Sequence, residues 1–126
     1  MRISLFLILL FSSVTLIAQD QKTKDPQLSK AIEKYNAGNY KAALIGLNLY
    51  VDNHPKDVEG NYYLANSLFR SDDKKGAMKH FNKVLELDPR HYKAYKDRGK
   101  LKASMKDYRG SIDDFNRSIE LSPDFM

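Results

Sequence analysis

The chain contains no cysteine and no tryptophan in 126 residues. Without cysteine there are no disulfides, no thiolate metal sites, no cysteine nucleophile and no lipid-modified N-terminal cysteine. No G-x-S-x-G nucleophile elbow and no phosphate-cradling glycine loop occurs. Three histidines are present, His54, His80 and His91, but none has a second histidine or a carboxylate at a recognised ligand spacing. They are expected to be ordinary surface residues. Asp113 and Asp114 are adjacent, so on a helix they point in different directions and do not form a catalytic pair. The sequence therefore predicts no enzyme, no metal and no cofactor. What remains is an ordinary globular balance, 42% apolar and 29% charged, with a formal charge of +5. Its length suggests one domain.

One long apolar run exists, at the N-terminus. "MRISLFLILLFSSVTLIAQD" carries Arg2, then apolar residues to about Leu16, then the small Ala18 before polar sequence. This is the layout of a secretory signal peptide over residues 1–18. The 16 residues from Ile3 to Ala18 would span about 24 Å as a helix, against roughly 30 Å of bilayer hydrocarbon. An uncleaved N-terminal anchor is the alternative, and only then would the protein sit on a membrane. Residues 19–26, "QDQKTKDP", are expected to be a flexible leader. The folded domain is expected over 27–126.

Proline is sparse, and three of the four prolines keep a fixed interval: Pro55, Pro89 and Pro123 lie 34 residues apart. "FNKVLELDP" from Phe81 returns as "FNRSIELSP" from Phe115. The same interval joins Leu47, Phe81 and Phe115; Ala43, Ala77 and Ser111; and Ala31, Ala65 and Gly99. Three registers fill 24–57, 58–91 and 92–125. A period of 34 residues marks a helix–turn–helix solenoid. In the second register one helix is expected over about 58–71 and its partner over about 74–87. Small residues would let the pair approach, Phe81 would fill the space beside them, and Pro89 would stop the second helix. Gly38 falls in the turn of the first register, where a positive φ is often needed, and Asp72 and Lys106 share its place.

On these columns the chain resembles the tetratricopeptide repeat (TPR) family over nearly all of residues 24–125. The resemblance implies an all-α solenoid of three repeats, about six antiparallel helices, following the N-terminal signal segment. Repeat 1 departs from the family pattern: Gln27 and Lys30 stand where large and leucine side chains are usual, and its apolar stripe is Leu28, Ala31, Ile32 and Tyr35. Tyr50 stands where a small residue is usual, and Lys102 where an aromatic is usual. The family's activity is non-catalytic binding of a partner peptide or helix in the concave face formed by the first helix of each repeat. Its groove positions fall here on Asp25, Leu28, Ile32, Tyr35 and Asn36; on Glu59, Tyr62, Asn66, Phe69 and Arg70; and on Lys93, Lys96, Lys100, Ala103 and Ser104. Some family members grip a C-terminal carboxylate with a five-residue clamp. The matching positions here are Leu28, Ile32, Tyr63, Lys93 and Asp97, of which only Lys93 agrees, so that clamp is not expected.

Residues 92–105 hold five basic residues and one acid. Lys93, Lys96 and Lys100 are spaced for one helical face. A protein or peptide partner with an apolar segment followed by acidic residues or a carboxylate would suit this surface. The alternative is a binder of anionic envelope components, polymer or lipid head groups, through the same lysines. Nucleic acid is not expected, since no recognition motif accompanies the charge. An exported chain of this kind is similar to small periplasmic TPR proteins of Gram-negative bacteria, which implies the periplasm or cell envelope. At the C-terminal end, Ile112, Phe115, Ile119, Phe125 and Met126 are expected to leave apolar surface uncovered. That surface would serve self-association or partner docking.

Overall fold

The computed structural model describes residues 24–123. The signal segment, most of the leader, and Phe125 and Met126 lie outside the described residues. Six helices follow one another: α1 Pro26–Asn36, α2 Tyr40–Asn53, α3 Val58–Arg70, α4 Lys74–Leu87, α5 Tyr92–Ser104 and α6 Tyr108–Leu121. Among the described residues there is no strand, and no helix is long and apolar enough to cross a membrane.

Helix starts are set by short polar caps. Asn39, Asp73 and Asp107 share one column of the repeat, and each accepts a hydrogen bond from a backbone N–H of the first turn of α2, α4 and α6. A cap of this type stabilises a helix by roughly 1 kcal/mol. Asp25 caps α1 through the N–H groups of Gln27 and Leu28, and Asp57 caps α3 through Gly60. Pro26 is thus the first helical residue rather than the end of the leader; its missing N–H and fixed φ suit that position. Just before the caps of α2, α4 and α6 the backbone turns left-handed, at Gly38 (φ 78°), Asp72 (65°) and Lys106 (64°). Glycine carries that conformation freely, aspartate tolerates it, and lysine bears its steric cost.

The core follows the columns. Ala43, Leu47, Ala77 and Phe81 have no exposed surface, and Ala65 and Ala94 face them as small partners. Two exchanges of size repair departures from the pattern. Tyr50 is buried against α3 because Gly60 lies opposite; a Cβ there would sit 2.8 Å from its ring. Gly99 likewise makes room for Phe115, whose ring would lie 2.9 Å from a Cβ. Leu28 and Ile32 are 3% and 6% exposed and belong to the core with Ala31 and Leu47. They do not line a groove: the apolar stripe of α1 turns toward α2 and α3, and Tyr35 and Tyr63 pack over the same cluster.

Beyond the helix pairs themselves, α2 packs on α3 and α4 on α5, and consecutive A helices approach closely, α1 to α3 and α3 to α5, whereas the backbones of α2, α4 and α6 stand further apart. A stack whose A helices converge while its B helices diverge is curved, with α1, α3 and α5 on the inner face.

Candidate functional site

The inner face carries a row of aromatic rings. Tyr40 meets Tyr35 edge-on at 5.4 Å, Tyr35 meets Tyr63 at 5.2 Å, Tyr63 meets Tyr62 at 5.4 Å, and Tyr62 meets His91 at 4.9 Å. Such pairs are worth about 0.5–1.5 kcal/mol each beyond burial, so the row is a rigid wall. Beside it open two clefts. One, of about 320 Å³, is lined by Val58, Glu59, Tyr62, Tyr63, His91 and Lys93. The other, of about 380 Å³, is lined by Asn66, Phe69, Arg70, Asp97 and Lys100. Each therefore sets an aromatic surface of α3 against a lysine of α5.

Asp97 joins the two clefts. It accepts a hydrogen bond from the Tyr62 hydroxyl at 2.6 Å and lies 3.8 Å from Lys100 Nζ. Burial, together with that bond to a carboxylate, pushes the Tyr62 pKa well above its ordinary value, so Tyr62 remains a donor at any physiological pH. Asn66 is buried and donates to the Tyr62 carbonyl at 3.2 Å, which fixes its amide at the cleft. Arg70 sits 5.8 Å above the Tyr40 ring at the opening of a third cleft of about 550 Å³ between the ends of α2 and α3. His91 caps α5 by accepting the Ala94 N–H at its Nδ1, so its proton is on Nε2. Burial holds its pKa below the usual histidine value, partly opposed by Asp88 and Asp97.

Two of the five basic residues of α5 are used inside the protein. Arg98 forms a two-pronged pair with Asp114, at 2.8 and 2.7 Å, and Lys102 reaches the same carboxylate at 3.0 Å. Lys100 lies 3.8 Å from Asp97 but is 58% exposed, so its ammonium stays open to a ligand at the cleft. Lys93 and Lys96 are the cations of α5 outside any ion pair among the described residues. Of the residues expected at the groove, Tyr62 and Lys93 meet in one cleft, Asn66, Phe69, Arg70 and Lys100 in the other, and Tyr35 in the aromatic row. Lys96 is exposed on α5 and lines neither cleft, and Leu28 and Ile32 are core. Asp25, also a groove position, is consumed as a cap. Tyr63 and Asp97, which the sequence marks only as non-matching clamp positions, and His91, which it does not mark for the groove, also belong to the clefts. Tyr63 and Asp97 share one repeat column, which is the signal that could have flagged them.

The histidines are structural, though not all are surface residues. His54 stacks on Tyr50 at 4.3 Å. His80 is partly buried, and its partner Asn61 gives both amide N–H groups to backbone carbonyls, of Pro55 at 3.1 Å and Asp57 at 2.8 Å. Asn61 Oδ1 must then accept, so His80 Nδ1 is the donor at 3.0 Å. Among the described residues no cluster of three metal-ligating side chains occurs. A further cleft of about 480 Å³ opens between α2 and α4, lined in part by Asp52, His80, Lys83 and Glu86. Its charges are mixed, and no tyrosine or phenylalanine walls it.

Comparison with known proteins agrees with this architecture. Residues 58–91 and 92–125 each match a sequence model of the tetratricopeptide repeat, and the chain belongs to that family. Over 70 residues it is 34% identical to UDP-N-acetylglucosamine–peptide N-acetylglucosaminyltransferase of Giardia intestinalis, a match covering 56% of this chain and only 5% of that protein. The crystal structure of MamA superposes with a TM-score of 0.76 at 21% identity, over 88% of this chain and 65% of MamA. The second TPR of Spaghetti (RPAP3), solved with the HSP90 peptide SRMEEVD, superposes with a TM-score of 0.74 at 15% identity, over 82% of this chain and 96% of that domain. At these identities the two structures show a shared fold. The chain spans a small part of the Giardia enzyme and about two thirds of MamA.

Proposed function

We propose that the protein is a non-catalytic interaction scaffold that holds an extended segment of a partner protein in the inner groove of α1, α3 and α5. The observation that carries this reading is the pairing, in each of two adjacent clefts, of an aromatic wall with a lysine: Tyr62 and Tyr63 with Lys93, Phe69 with Lys100. Apolar side chains would rest on the rings while acidic ones meet the lysines. Lys93 and Lys100 are seven residues apart on one helix, about 10 Å along its axis. A peptide in the polyproline II conformation covers that distance in about three residues, and its three-residue turn brings the first and fourth side chains to the same side. The favoured ligand thus carries two acidic residues three positions apart, with apolar residues between or before them. That the RPAP3 domain of the same fold was solved with an acidic peptide supports the choice of ligand class. The mode differs, because Tyr63 and Asp97 occupy clamp positions and are engaged with Tyr35 and Tyr62. The apolar run at 1–18 supports export, and the Gram-negative cell envelope is the compartment we assign.

The test is binding of a labelled peptide with acids at that spacing beside one with the acids changed to amides. Wild type should prefer the acidic peptide at least about tenfold, as expected for two charge-assisted contacts of about 1 kcal/mol or more each. The Lys93→Glu/Lys100→Glu variant should lose that preference. Equal binding of both peptides would remove the proposed role of the lysines. Tight binding to anionic vesicles alone, falling steeply with salt, would favour the envelope-component reading instead.

A further inference from the structure

Helices α2, α4 and α6 carry one apolar stripe in the same repeat columns, and two of the three copies show what belongs on it. Val51 and Leu85 are 7% and 8% exposed because α3 and α5 lie over them, while Ile119 in the same column is 47% exposed. Leu44 and Met78 are partly buried, while Ile112 is 58% exposed. Leu47 and Phe81 are fully buried; Phe115 is only partly so. Tyr40 and Lys74 are partly covered, whereas Tyr108 is 63% exposed. Tyr108, Ile112, Phe115 and Ile119 follow at steps of four, three and four, so they form one stripe of α6 about 16 Å long.

The covered copies also define the chemistry of the cover. Leu64 and Leu68 of α3 pack with Leu44, Leu47 and Val51. Tyr40 meets a last-turn residue of the covering helix, Arg70, at 5.8 Å from the ring. Lys74, in the Tyr40 column, meets the residue in the Arg70 column: its Nζ donates to the Ser104 carbonyl at 3.3 Å. Where α2 has Tyr40, Leu44, Leu47 and Val51, α6 has Tyr108, Ile112, Phe115 and Ile119. The open stripe therefore repeats the α3-binding face of α2, aromatic cation acceptor included, and continues the seam that α2 with α3 and α4 with α5 already form.

We infer that the α6 stripe docks one amphipathic helix of a partner protein that presents two leucines four residues apart and an arginine or lysine two residues beyond the second, as Leu64, Leu68 and Arg70 do in α3. A folded second copy does not offer such a helix, because its own Leu64 is buried against α2. This inference is independent of the groove ligand, since the stripe lies on a different helix and face.

The probe is a synthetic peptide with the sequence of α3, Val58–Arg70, titrated into the purified chain with isoleucine methyl groups labelled for NMR. A helix this short is mostly unfolded in water, so the titration runs to millimolar peptide. Saturable shifts are expected at Ile112 and Ile119. Ile119→Asp should weaken binding at least about tenfold by placing a carboxylate under the apolar contact. Ile112→Asp is the second variant should the first reduce helicity. An Arg70→Ala peptide should bind about threefold more weakly, because it lacks the cation over Tyr108. No saturable shift at either isoleucine, or shifts confined to Ile32 beneath the inner-face tyrosines, would overturn the inference. So would sedimentation showing a dimer that Ile119→Asp dissociates, since a second copy would then cover the stripe.

Discussion

Replacing Asp114 by alanine is expected to destabilise the third repeat by about 3–5 kcal/mol. The side chain is 5% exposed and neutralises two cations, Arg98 and Lys102, that are themselves largely buried. Arg98 also donates to Asn82 at 2.9 Å, which ties the network back to α4. Removing the carboxylate leaves two buried positive charges facing one another, a larger penalty than breaking any one hydrogen bond of the network. In a solenoid each repeat leans only on its neighbours, so the effect falls first on α5 and α6. Hydrogen exchange should show those helices opening while α1 and α2 keep their protection. A destabilisation below about 1 kcal/mol would mean that the network behaves like a surface ion pair. The same carboxylate sets an acid limit. Burial opposes its ionisation, but Arg98 and Lys102 outweigh burial and hold its pKa below the usual carboxylate value. A lowered folded pKa gives stability that is present above the unfolded value, near 4, and lost as pH falls through the folded one. The third repeat should loosen on acidification through that window, and Asp114→Ala should remove this part of the pH dependence.

Phe81→Ala is expected to cost about 3–5 kcal/mol, and Phe115→Ala much less, about 1–2 kcal/mol. The two residues occupy one column and begin the same nine-letter echo. Phe81 is fully buried among Ala65, Ala77, Ala94 and Leu101, with α5 as its cover. Phe115 packs against Gly99 but is covered from one side only. Urea unfolding of the two variants measures the difference. Equal destabilisation would mean that the α6 stripe is covered in solution, which would bear directly on the helix-docking inference.

The repeat spacing made the six helices and the Phe81 core legible in the sequence, because each column has a local physical cause. Position-counting failed where two causes compete for one residue. Leu28 and Ile32 fall on groove positions by counting, yet they also form the apolar stripe of α1, and burial beside Leu47 wins. The Arg98–Asp114–Lys102 network was not legible, since it depends on the register between α5 and α6. Lys102 at a position usually aromatic was its one trace. Nor did counting charges reveal the groove, because two of the five basic residues of α5, Arg98 and Lys102, are spent on Asp114 inside the fold. The aromatic row needed the structure too: Tyr40 and Tyr35 come from different helices, and Tyr35 meets Tyr63 only through the stacking of α1 on α3.

The central claim is that partners are held on the inner face, and in-cell photo-cross-linking tests it most directly. A photoreactive residue would be placed at Tyr63, in the groove, and separately at Ile45, 75% exposed on α2. The account predicts a discrete protein adduct from position 63 that disappears in the Lys93→Glu/Lys100→Glu background, and none from position 45. An adduct from position 45 with none from position 63, or a groove adduct indifferent to both lysines, would contradict it.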